Sequence, residues 1–399
     1  MTIDTSWVRQ EAAALQEQMV RDRRWLHSHP EVGEHLPGTV GYVESRLEEM
    51  GIAYRELCDS GLVVLLGGKH PGKCLIVRAD MDALPMREES GLPFASQCDA
   101  AHTCGHDLHT AMMLAVCRIL KEHEDEIQGT VKAVFQPAEE NFRGAAKMLE
   151  SGLLEDPKVD AAVTLHVNSM SPYPVGALSL MPAGPILASC DTYRIEVEGV
   201  GGHGAYPAKC VDPISIGAHI LVALQQINAR ELTRDEPIVL TQGSFHSGKA
   251  PNIIPSSAVI EGTLRTFDED LRQRCLKRIE EIVTSVGEMY RAKAAFTVMG
   301  GCSPMVNDPG LRSDALRYFR EMLGEDMVFE KKEVGMASED FGNVIKYVPG
   351  IQITLVAGST LDGAKYQQHH PKVVFDEGIM TNGTSAFVTF ALRWLAEQQ

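Results

Sequence analysis

Positive charge is scarce in this sequence of 399 residues. Lysine and arginine together number 37, against 54 aspartate and glutamate residues, so the formal net charge at pH 7 is −17. No local cluster of Lys or Arg offsets this deficit. Because clustered basic residues supply most of the affinity for a phosphate backbone, the composition argues against a nucleic-acid-binding protein.

Long apolar segments are also missing. The first ten residues, MTIDTSWVRQ, have no basic segment followed by an apolar one, so we expect no secretory signal. The stretch 161–190 lacks Asp, Glu, Lys and Arg, but four prolines interrupt it, at positions 172, 174, 182 and 185. We therefore expect buried strands and loops there rather than a membrane span, and no membrane partner.

A paired pattern of cysteines is absent as well. The nine cysteines are odd in number and scattered without a repeating interval. This distribution favours reduced thiols over a disulfide framework, and it leads us to expect a cytoplasmic protein. What the chain does contain, 44% hydrophobic and 23% charged residues, is enough for a sizeable core and two domains.

The stretch 101–110, AHTCGHDLHT, concentrates side chains with metal-binding chemistry. It contains Cys104, His106, Asp107 and His109. Cys and His are common metal ligands, and Asp either binds a metal or orients a ligand, so the stretch is a candidate for half of a metal site. The Cys-Gly-His triplet alone is equally compatible with simple packing, and the interpretation depends on whether distant residues complete the site.

Apolar spacing predicts alternating helices and strands in the first half of the chain. We expect helices over 5–28, 38–50 and 110–127, and strands over 61–66, 74–79, 130–136 and 161–165. Cys104 and His106 would lie in the loop before a helix. Glu139, Glu140 and His166 would follow strands. Open α/β sheets gather ligands at such strand ends, so we expect these side chains to meet.

From about residue 191 the pattern becomes that of a small α+β domain. The expected order is strand 193–198, helix 213–229, strands 238–244 and 258–266, helix 269–290 and strand 295–299. This β-α-β-β-α-β order is that of a ferredoxin-like module. The later elements, helices over 311–323, 340–347 and within 378–397 and a strand over 351–357, resemble more of the first domain.

The sequence therefore predicts an α/β fold in which a mixed-sheet catalytic domain is interrupted by a satellite domain. The catalytic domain would comprise residues 1–185 and 300–399. The inserted ferredoxin-like satellite domain would comprise residues 186–299.

A small set of residues carries the candidate chemistry: Cys104, His106, Glu139, Glu140, His166, His369 and His370. Thiolate, imidazole and carboxylate together suit zinc, and also manganese, cobalt or nickel. Glu139 and Glu140 are adjacent at a strand end, so their side chains diverge. One could hold a metal while the other acts as a general base. Taken alone, such a pair is more often part of a solvated loop.

Several motifs resemble those of the aminoacylase/carboxypeptidase metallohydrolases. They are CGHDLH at 104–109, FQPAEE at 135–140, LHV at 165–167, GGHGA at 201–205, PNIIP at 251–255, GTLR at 262–265 and MASEDF at 336–341. Their order and spacing resemble most the branch that contains hippurate hydrolases, N-acyl-amino-acid amidohydrolases and auxin-conjugate (indole-acetyl amino acid) hydrolases. The resemblance covers nearly the whole chain.

The resemblance implies two divalent metal ions per subunit, of zinc, manganese, cobalt or nickel. The implied ligands are Cys104, which would bridge the ions, and His106, Glu140, His166 and His369. His369 is preferred to His370 because the family's ligand lies two residues before a proline, here Pro371.

One position departs from other branches of the family. Those branches have a metal-binding His where this chain has Asp80. We therefore assign Asp80 and Asp82 to turn formation or to hydrogen bonds with the ligands rather than to metal binding.

The resemblance also implies catalytic and substrate-binding residues. Glu139 would be the general acid/base, and His203 would donate a hydrogen bond to the tetrahedral oxyanion. Asn252 and Arg265 would grip the substrate carboxylate, which the planar fork of an arginine matches. The structural alternatives are a surface loop for His203 and a strand-end salt bridge for Arg265. His109 would lie either beside the site or packed in a helix.

The implied function is a metal-dependent amidohydrolase that cleaves N-acyl amino acids to a carboxylic acid and a free amino acid. A dipeptidase or carboxypeptidase of the same fold is the main alternative. A catalytically idle metal-binding protein is a further alternative, which a base such as Glu139 disfavours. The expected partners are the small-molecule substrate and further copies of the chain, joined through a satellite domain that acts as lid or dimerisation domain.

Overall fold

The computed structural model describes residues 3–398, which divide into two compact units. Unit 1 comprises the chain up to Ile186, the segment Val306–Val334 and the chain from Asn343 onward. Unit 2 comprises Leu187–Met305 and Gly335–Gly342.

The short segment Gly335–Gly342 differs from the boundary expected from the sequence, which placed it within 300–399 of the catalytic domain. It packs with unit 2, where the backbone N–H of Ala188 donates to the carbonyl oxygens of Gly335 and Ala337 at 3.3 and 3.1 Å. These hydrogen bonds join residues far apart in the chain. Apolar spacing within the segment therefore gives no sign of them.

Unit 1 is built on a mixed eight-stranded sheet. Its strands, in order across the sheet, are Tyr54–Cys58, Gly61–Gly67, Thr130–Gln136, Cys74–Asp80, Ala161–Asn168, Gly350–Val356, Leu178–Leu180 and Val328–Glu330. The strand Cys74–Asp80 pairs in parallel with the strands on both sides of it. All of its residues are buried, which explains its nearly continuous apolar sequence. The predicted mixed α/β sheet is confirmed.

The helices of unit 1 pack against this sheet and against one another. They are Val8–Ala14, Gln16–Ser28, Pro37–Glu49, His106–Glu122, Gly144–Glu150, Pro309–Leu323 and Met380–Glu397, with single 3-10 turns at Glu124–Glu126, Glu325–Met327, Thr360–Asp362 and Glu377–Ile379. The single helix expected over 5–28 is divided at Leu15. The N–H of Leu15 is shared between the carbonyl oxygens of Glu11 and Ala12, so the hydrogen-bond ladder shifts there.

Unit 2 contains a four-stranded antiparallel sheet with two long helices. Its strands, in order across the sheet, are Ile238–Ser247, Ser257–Thr266, Cys190–Glu198 and Lys293–Cys302, and its helices are Pro213–Gln226 and Glu269–Met289. A strand pair, Gly202–His203 with Ile253–Ile254, lies beside the 3-10 turn Pro207–Lys209, and a π-helical turn spans Ile227–Glu231. The predicted β-α-β-β-α-β order of elements is confirmed.

Three short elements lie where the chain passes from one unit to the other. They are the strands Gly184–Leu187 and Met305–Asn307 and the helix Gly342–Ile345. Among the residues that the structure describes, no helix has both the length and the apolar character needed to cross a membrane.

A buried ion pair stabilises unit 2. Arg272 donates to both carboxylate oxygens of Asp191, at 2.7 Å each, and the Asp191 side chain is fully buried. Asp191→Asn is expected to lower the free energy of unfolding by about 3 kcal/mol, because the buried guanidinium then keeps only Glu269, at 3.1 Å, as a counter-charge. Urea denaturation followed by circular dichroism measures the loss.

The exposed pair Arg194–Glu261 of the same sheet provides the matched control. Glu261→Gln removes the same charge from a solvated site, so we expect a change of only about 1 kcal/mol or less. Equal losses in the two variants would contradict the stabilising role of the buried pair.

Candidate metal centre

Gly105 shapes the loop that carries Cys104. Its φ is +97°, and a Cβ atom at this position would lie 2.4 Å from Cγ2 of Val167. Glycine therefore allows both the left-handed turn and the close approach of the helix to the neighbouring strand. The helix begins immediately after it, so His106 is the first helical residue. The expectation that His106 precedes the helix, and that the helix starts at Thr110, is wrong.

His106 is oriented by one of its ring nitrogens. In the neutral ring, Nδ1 donates to the backbone oxygen of Asp82 at 2.9 Å and the lone pair is on Nε2. This Nε2 is buried and has no hydrogen-bond partner among the described residues. The Oδ2 of Asp82 also accepts the backbone N–H of Glu140 at 3.1 Å. Asp82 therefore holds the backbone of one candidate ligand and the ring of another.

His166 has the same tautomer as His106. It lies within the strand Ala161–Asn168 rather than after it. Its Nδ1 donates to the backbone oxygen of Val167 at 2.6 Å, and its Nε2 lies 3.5 Å from Sγ of Cys104. The lone pair of Nε2 is thus directed toward the thiol.

Glu140 lies between two imidazoles. Its Oε1 is 3.9 Å from Nε2 of His106 and 3.4 Å from Nε2 of His369, and it is buried without a hydrogen-bond partner among the described residues. His369 adopts a left-handed φ of +63°, and its N–H donates to the carbonyl oxygen of Thr103 at 3.0 Å. His370 instead stacks on Tyr366 at 4.2 Å between ring centroids.

The donor atoms of Cys104, His106 and Glu140 lie within 4.8 Å of one another. The donor chemistry is a thiol, an imidazole and a carboxylate, with the imidazole of His166 beside the thiol. Two of the buried acceptor atoms, Nε2 of His106 and Oε1 of Glu140, have no hydrogen bond in the described part of the chain. The residues present therefore fit a site for zinc or a similar divalent metal.

Asp80 and His109 form a second group with His106 and His166, also within 4.8 Å. The oxygens of Asp80 are engaged, because Oδ1 accepts from Nδ1 of His109 and Oδ2 accepts from Arg78, each at 2.6 Å. This geometry agrees with the sequence-based assignment of Asp80 to hydrogen bonding beside the ligands rather than to metal binding.

Several carboxylates surround the thiol of Cys104 and the imidazole of His106 and shift their pKa values. Burial raises the pKa of the Cys104 thiol well above its usual value, and the carboxylates of Glu140, Glu139 and Asp80 raise it further. Burial lowers the pKa of His106, but Asp80, Asp82 and Glu140 outweigh it and raise the pKa to about 10. A buried thiol and imidazole that face several carboxylates form an environment suited to a divalent cation.

A buried network of ionisable side chains holds Asp107 in the first turn of the helix His106–Glu122, and its contacts were not expected from the sequence. Asp107 Oδ2 accepts from Nε of Arg23 at 2.7 Å and from Nδ1 of His27 at 2.8 Å, and the other nitrogen of His27 lies 3.0 Å from Glu88. Burial lowers the pKa of His27, but the Asp107 and Glu88 carboxylates outweigh it and raise the pKa to about 9. Arg23 and His27 lie 84 and 80 positions from Asp107 in the chain, so no local sequence pattern indicates these contacts.

The remaining candidate residues belong to unit 2. His203 is exposed, and its Nδ1 accepts the N–H of Ala205 at 3.0 Å, so Nε2 carries the ring hydrogen. The N–H of Gly204 donates to the carbonyl oxygen of Asn252 at 2.9 Å, which brings His203 and Asn252 close together. Nη1 of Arg265 donates to the carbonyl oxygen of Met336 at 3.0 Å and to Ser338 Oγ at 2.8 Å.

Comparisons with known proteins show which family the chain is similar to. The model of Peptidase family M20/M25/M40 matches residues 76–393. N-acetyl-L-cysteine deacetylase of Bacillus subtilis is 34% identical over 92% of this chain and 85% of its own length. Thermostable carboxypeptidase 2 of Saccharolobus solfataricus is 32% identical over 95% of this chain and 96% of its own.

A solved structure is also similar. The Bacillus subtilis YXEP protein, described as a dinuclear metal binding peptidase, superposes with a TM-score of 0.77 at 29% identity, over 97% of this chain and 100% of that one. The family model covers more than half of the sequence, and the relatives exceed 30% identity over nearly its whole length. The chain therefore belongs to Peptidase family M20/M25/M40.

Proposed function

We propose that this protein is a metal-dependent amidohydrolase that cleaves N-acyl amino acids to a carboxylic acid and a free amino acid. The observation that carries the proposal is the convergence of Cys104, His106 and Glu140 within 4.8 Å, with Nε2 of His106 and Oε1 of Glu140 buried and without a hydrogen bond in the described chain. The 34% identity to an N-acetyl-L-cysteine deacetylase supports the choice of substrate class.

Two divalent metal ions are proposed to bind at this centre. The proposed ligands are Cys104, as the bridging thiolate, with His106, Glu140, His166 and His369. When bound, such ions act as Lewis acids that polarise the scissile carbonyl and make water a stronger nucleophile. The Nδ1 hydrogen bonds of His106 and His166 keep the Nε2 lone pairs available for this purpose.

Glu139 is proposed to move the proton. It follows the strand Thr130–Gln136 and is 5% exposed, beside the ligand candidate Glu140. A carboxylate here would accept a proton from the attacking water and later give it to the nitrogen of the leaving amine. Glu139 needs no metal contact for either step.

The residues of unit 2 are proposed to act on the substrate. Nε2 of His203 carries a hydrogen that can be donated to the oxyanion of the tetrahedral intermediate. Asn252, whose carbonyl oxygen accepts the N–H of Gly204, and Arg265 are each proposed to bind the substrate carboxylate. Arg265 lies at the far end of the strand Ser257–Thr266 from Asn252, so the two would reach one carboxylate from different copies of the chain.

A screen of substrates tests this function. The protein, loaded with Mn²⁺, Co²⁺, Ni²⁺ or Zn²⁺, is assayed against acetyl-, benzoyl- and indole-acetyl amino acids and against dipeptides. We expect release of the free amino acid from at least one acylated substrate, with little activity on dipeptides, and loss of that activity on chelation. A preference for dipeptides would favour a peptidase instead.

A carboxypeptidase is the second candidate, because thermostable carboxypeptidase 2 is 32% identical over nearly all of this chain. N-blocked dipeptides and tripeptides, added to the same screen, distinguish it, because a carboxypeptidase would release their C-terminal residue. An absence of any turnover with metal bound would favour an idle metal-binding protein.

Two further properties are proposed. A cytoplasmic location is supported by the nine cysteines, all of which are free. A homo-oligomer formed through unit 2 is supported by the outer strand Ile238–Ser247, which pairs on one side only within the described sheet. Sedimentation analysis measures the oligomeric state.

A further inference from the structure

His109 lies among the proposed metal ligands, but it has no role so far in metal binding or in proton transfer. It lies one helical turn after His106 and is 1% exposed. Its ring centroid is 5.5 Å from that of His106 and 4.7 Å from that of His166. From this position His109 could either bind a metal or hold the side chains of His106 and His166 in place.

Both ring nitrogens of His109 are engaged. Nδ1 lies 2.6 Å from Oδ1 of Asp80, and Nε2 accepts the backbone N–H of Val167 at 2.9 Å. A backbone N–H only donates, so Nε2 carries the lone pair and Nδ1 carries the hydrogen that is donated to Asp80. No ring lone pair remains for a metal, although His109 lies within reach of the candidate ligands.

The hydrogen bond to Asp80 gives the imidazole a fixed anchor. Arg78 donates to the other oxygen of Asp80 at 2.6 Å and to Oε1 of Gln136 at 3.0 Å, and it is fully buried. The hydroxyl of Thr110 donates to the backbone oxygen of Asp80 at 3.0 Å. The anchor therefore connects two adjacent strands to the first turn of the helix.

The hydrogen bond from Val167 acts on a metal ligand. The N–H of Val167 belongs to the peptide that follows His166. The carbonyl oxygen of Val167 accepts a hydrogen bond from Nδ1 of His166 at 2.6 Å. A displacement of this backbone would move the ring of His166, whose Nε2 is 3.5 Å from Sγ of Cys104.

We propose that His109 is a positioning residue that fixes the Val167 backbone and thereby holds His166 in place beside Cys104. This inference rests on the proposed metal-dependent function. It assigns His109 a role through hydrogen bonding alone, as a neutral imidazole that donates at Nδ1 and accepts at Nε2.

Two amide variants separate the hydrogen bonds of His109. In His109→Gln the side-chain oxygen can reach the position of Nε2 and accept from Val167. In His109→Asn the shorter amide can only replace Nδ1 and donate to Asp80. His109→Ala removes both hydrogen bonds. Cys117→Ala truncates a buried side chain farther along the same helix and controls for a general loss of packing.

The primary measurement is titration with Co²⁺, followed by the visible absorption of the bound ion. We expect His109→Asn and His109→Ala to weaken Co²⁺ binding about 10–100-fold and to change the spectrum, with His109→Gln and Cys117→Ala close to the original protein. The second measurement needs no metal. Hydrogen exchange at the Val167 amide should be faster in His109→Asn and His109→Ala but not in His109→Gln.

The outcomes distinguish the two proposals. Equal exchange at Val167 and equal Co²⁺ binding in the Asn and Gln variants would overturn the role of His109. Failure of the unmodified protein to bind Co²⁺ would instead overturn the metal-dependent function, and the exchange experiment would still decide whether His109 holds the Val167 backbone.

Discussion

Replacing Glu139 with Gln is expected to lower kcat by about 10²–10⁴-fold while the metal content stays unchanged. Gln has nearly the same shape as Glu, but its amide cannot take a proton from water or return one to the amine. The measurement is kcat on the best acylated amino acid from the screen, with elemental analysis of the same sample.

The adjacent Glu140→Gln variant is the matched control for Glu139→Gln. Glu140 has a buried Oε1 near His106 and His369, so its loss should reduce the metal content rather than only the rate of the chemical step. Loss of metal in Glu139→Gln would identify that residue as a ligand. An unchanged kcat would remove it from the mechanism.

Replacing Cys104 with Ala is expected to weaken metal binding by at least about 100-fold and to abolish turnover at ordinary metal concentrations. Loss of a ligand should cost no less than loss of a group that orients one, for which 10–100-fold is typical. Cys104 lies within 4.8 Å of His106 and Glu140 and beside Nε2 of His166, and it supplies the thiol of this group. Competition with a metal-sensitive dye measures the affinity.

Cys98 provides the control for Cys104, because its thiol is exposed and lies in the preceding loop. Cys98→Ser should retain both metals and full activity. Alkylation of the Cys98→Ser protein should then release metal in step with inactivation. Inactivation with both metals retained would contradict a bridging thiolate and would indicate another role for Cys104.

Loss of kcat in Glu139→Gln together with loss of metal in Glu140→Gln would show that the two residues have different functions. Glu139 and Glu140 are neighbours in the chain, yet one is proposed to transfer a proton and the other to hold a metal. The hydrogen bond from the Glu140 N–H to Asp82 fixes the backbone at this point. The side chains can therefore serve different purposes without competing for one position.

Part of this fold was predictable because its signals are local. The strand Thr130–Gln136 has the predicted bounds, and the strand Cys74–Asp80 differs from its prediction by one residue. Apolar runs and turn residues determine such elements within a few positions. The interruption of the helix at Leu15 was not predictable in the same way, since the apolar spacing continues through it.

The candidate site was predictable as a set of residue types, but its hydrogen bonds were not. The resemblance to the metallohydrolases implied Cys104, His106, Glu140, His166 and His369 as ligands, and these roles remain predictions. The sequence could not distinguish a packed His109 from one beside the site. Its two hydrogen bonds depend on the positions of Asp80 and Val167, which the register of the sheet determines.

The sequence by itself determined the class of chemistry, because thiol, imidazole and carboxylate side chains in these motifs suit a divalent metal whatever their arrangement. Only the tertiary structure decided which lone pairs are available. His106 and His166 each use Nδ1 on the backbone and keep Nε2, whereas His109 uses both nitrogens. The reason is physical: a hydrogen bond between distant residues depends on strand register and helix position, which no local pattern encodes.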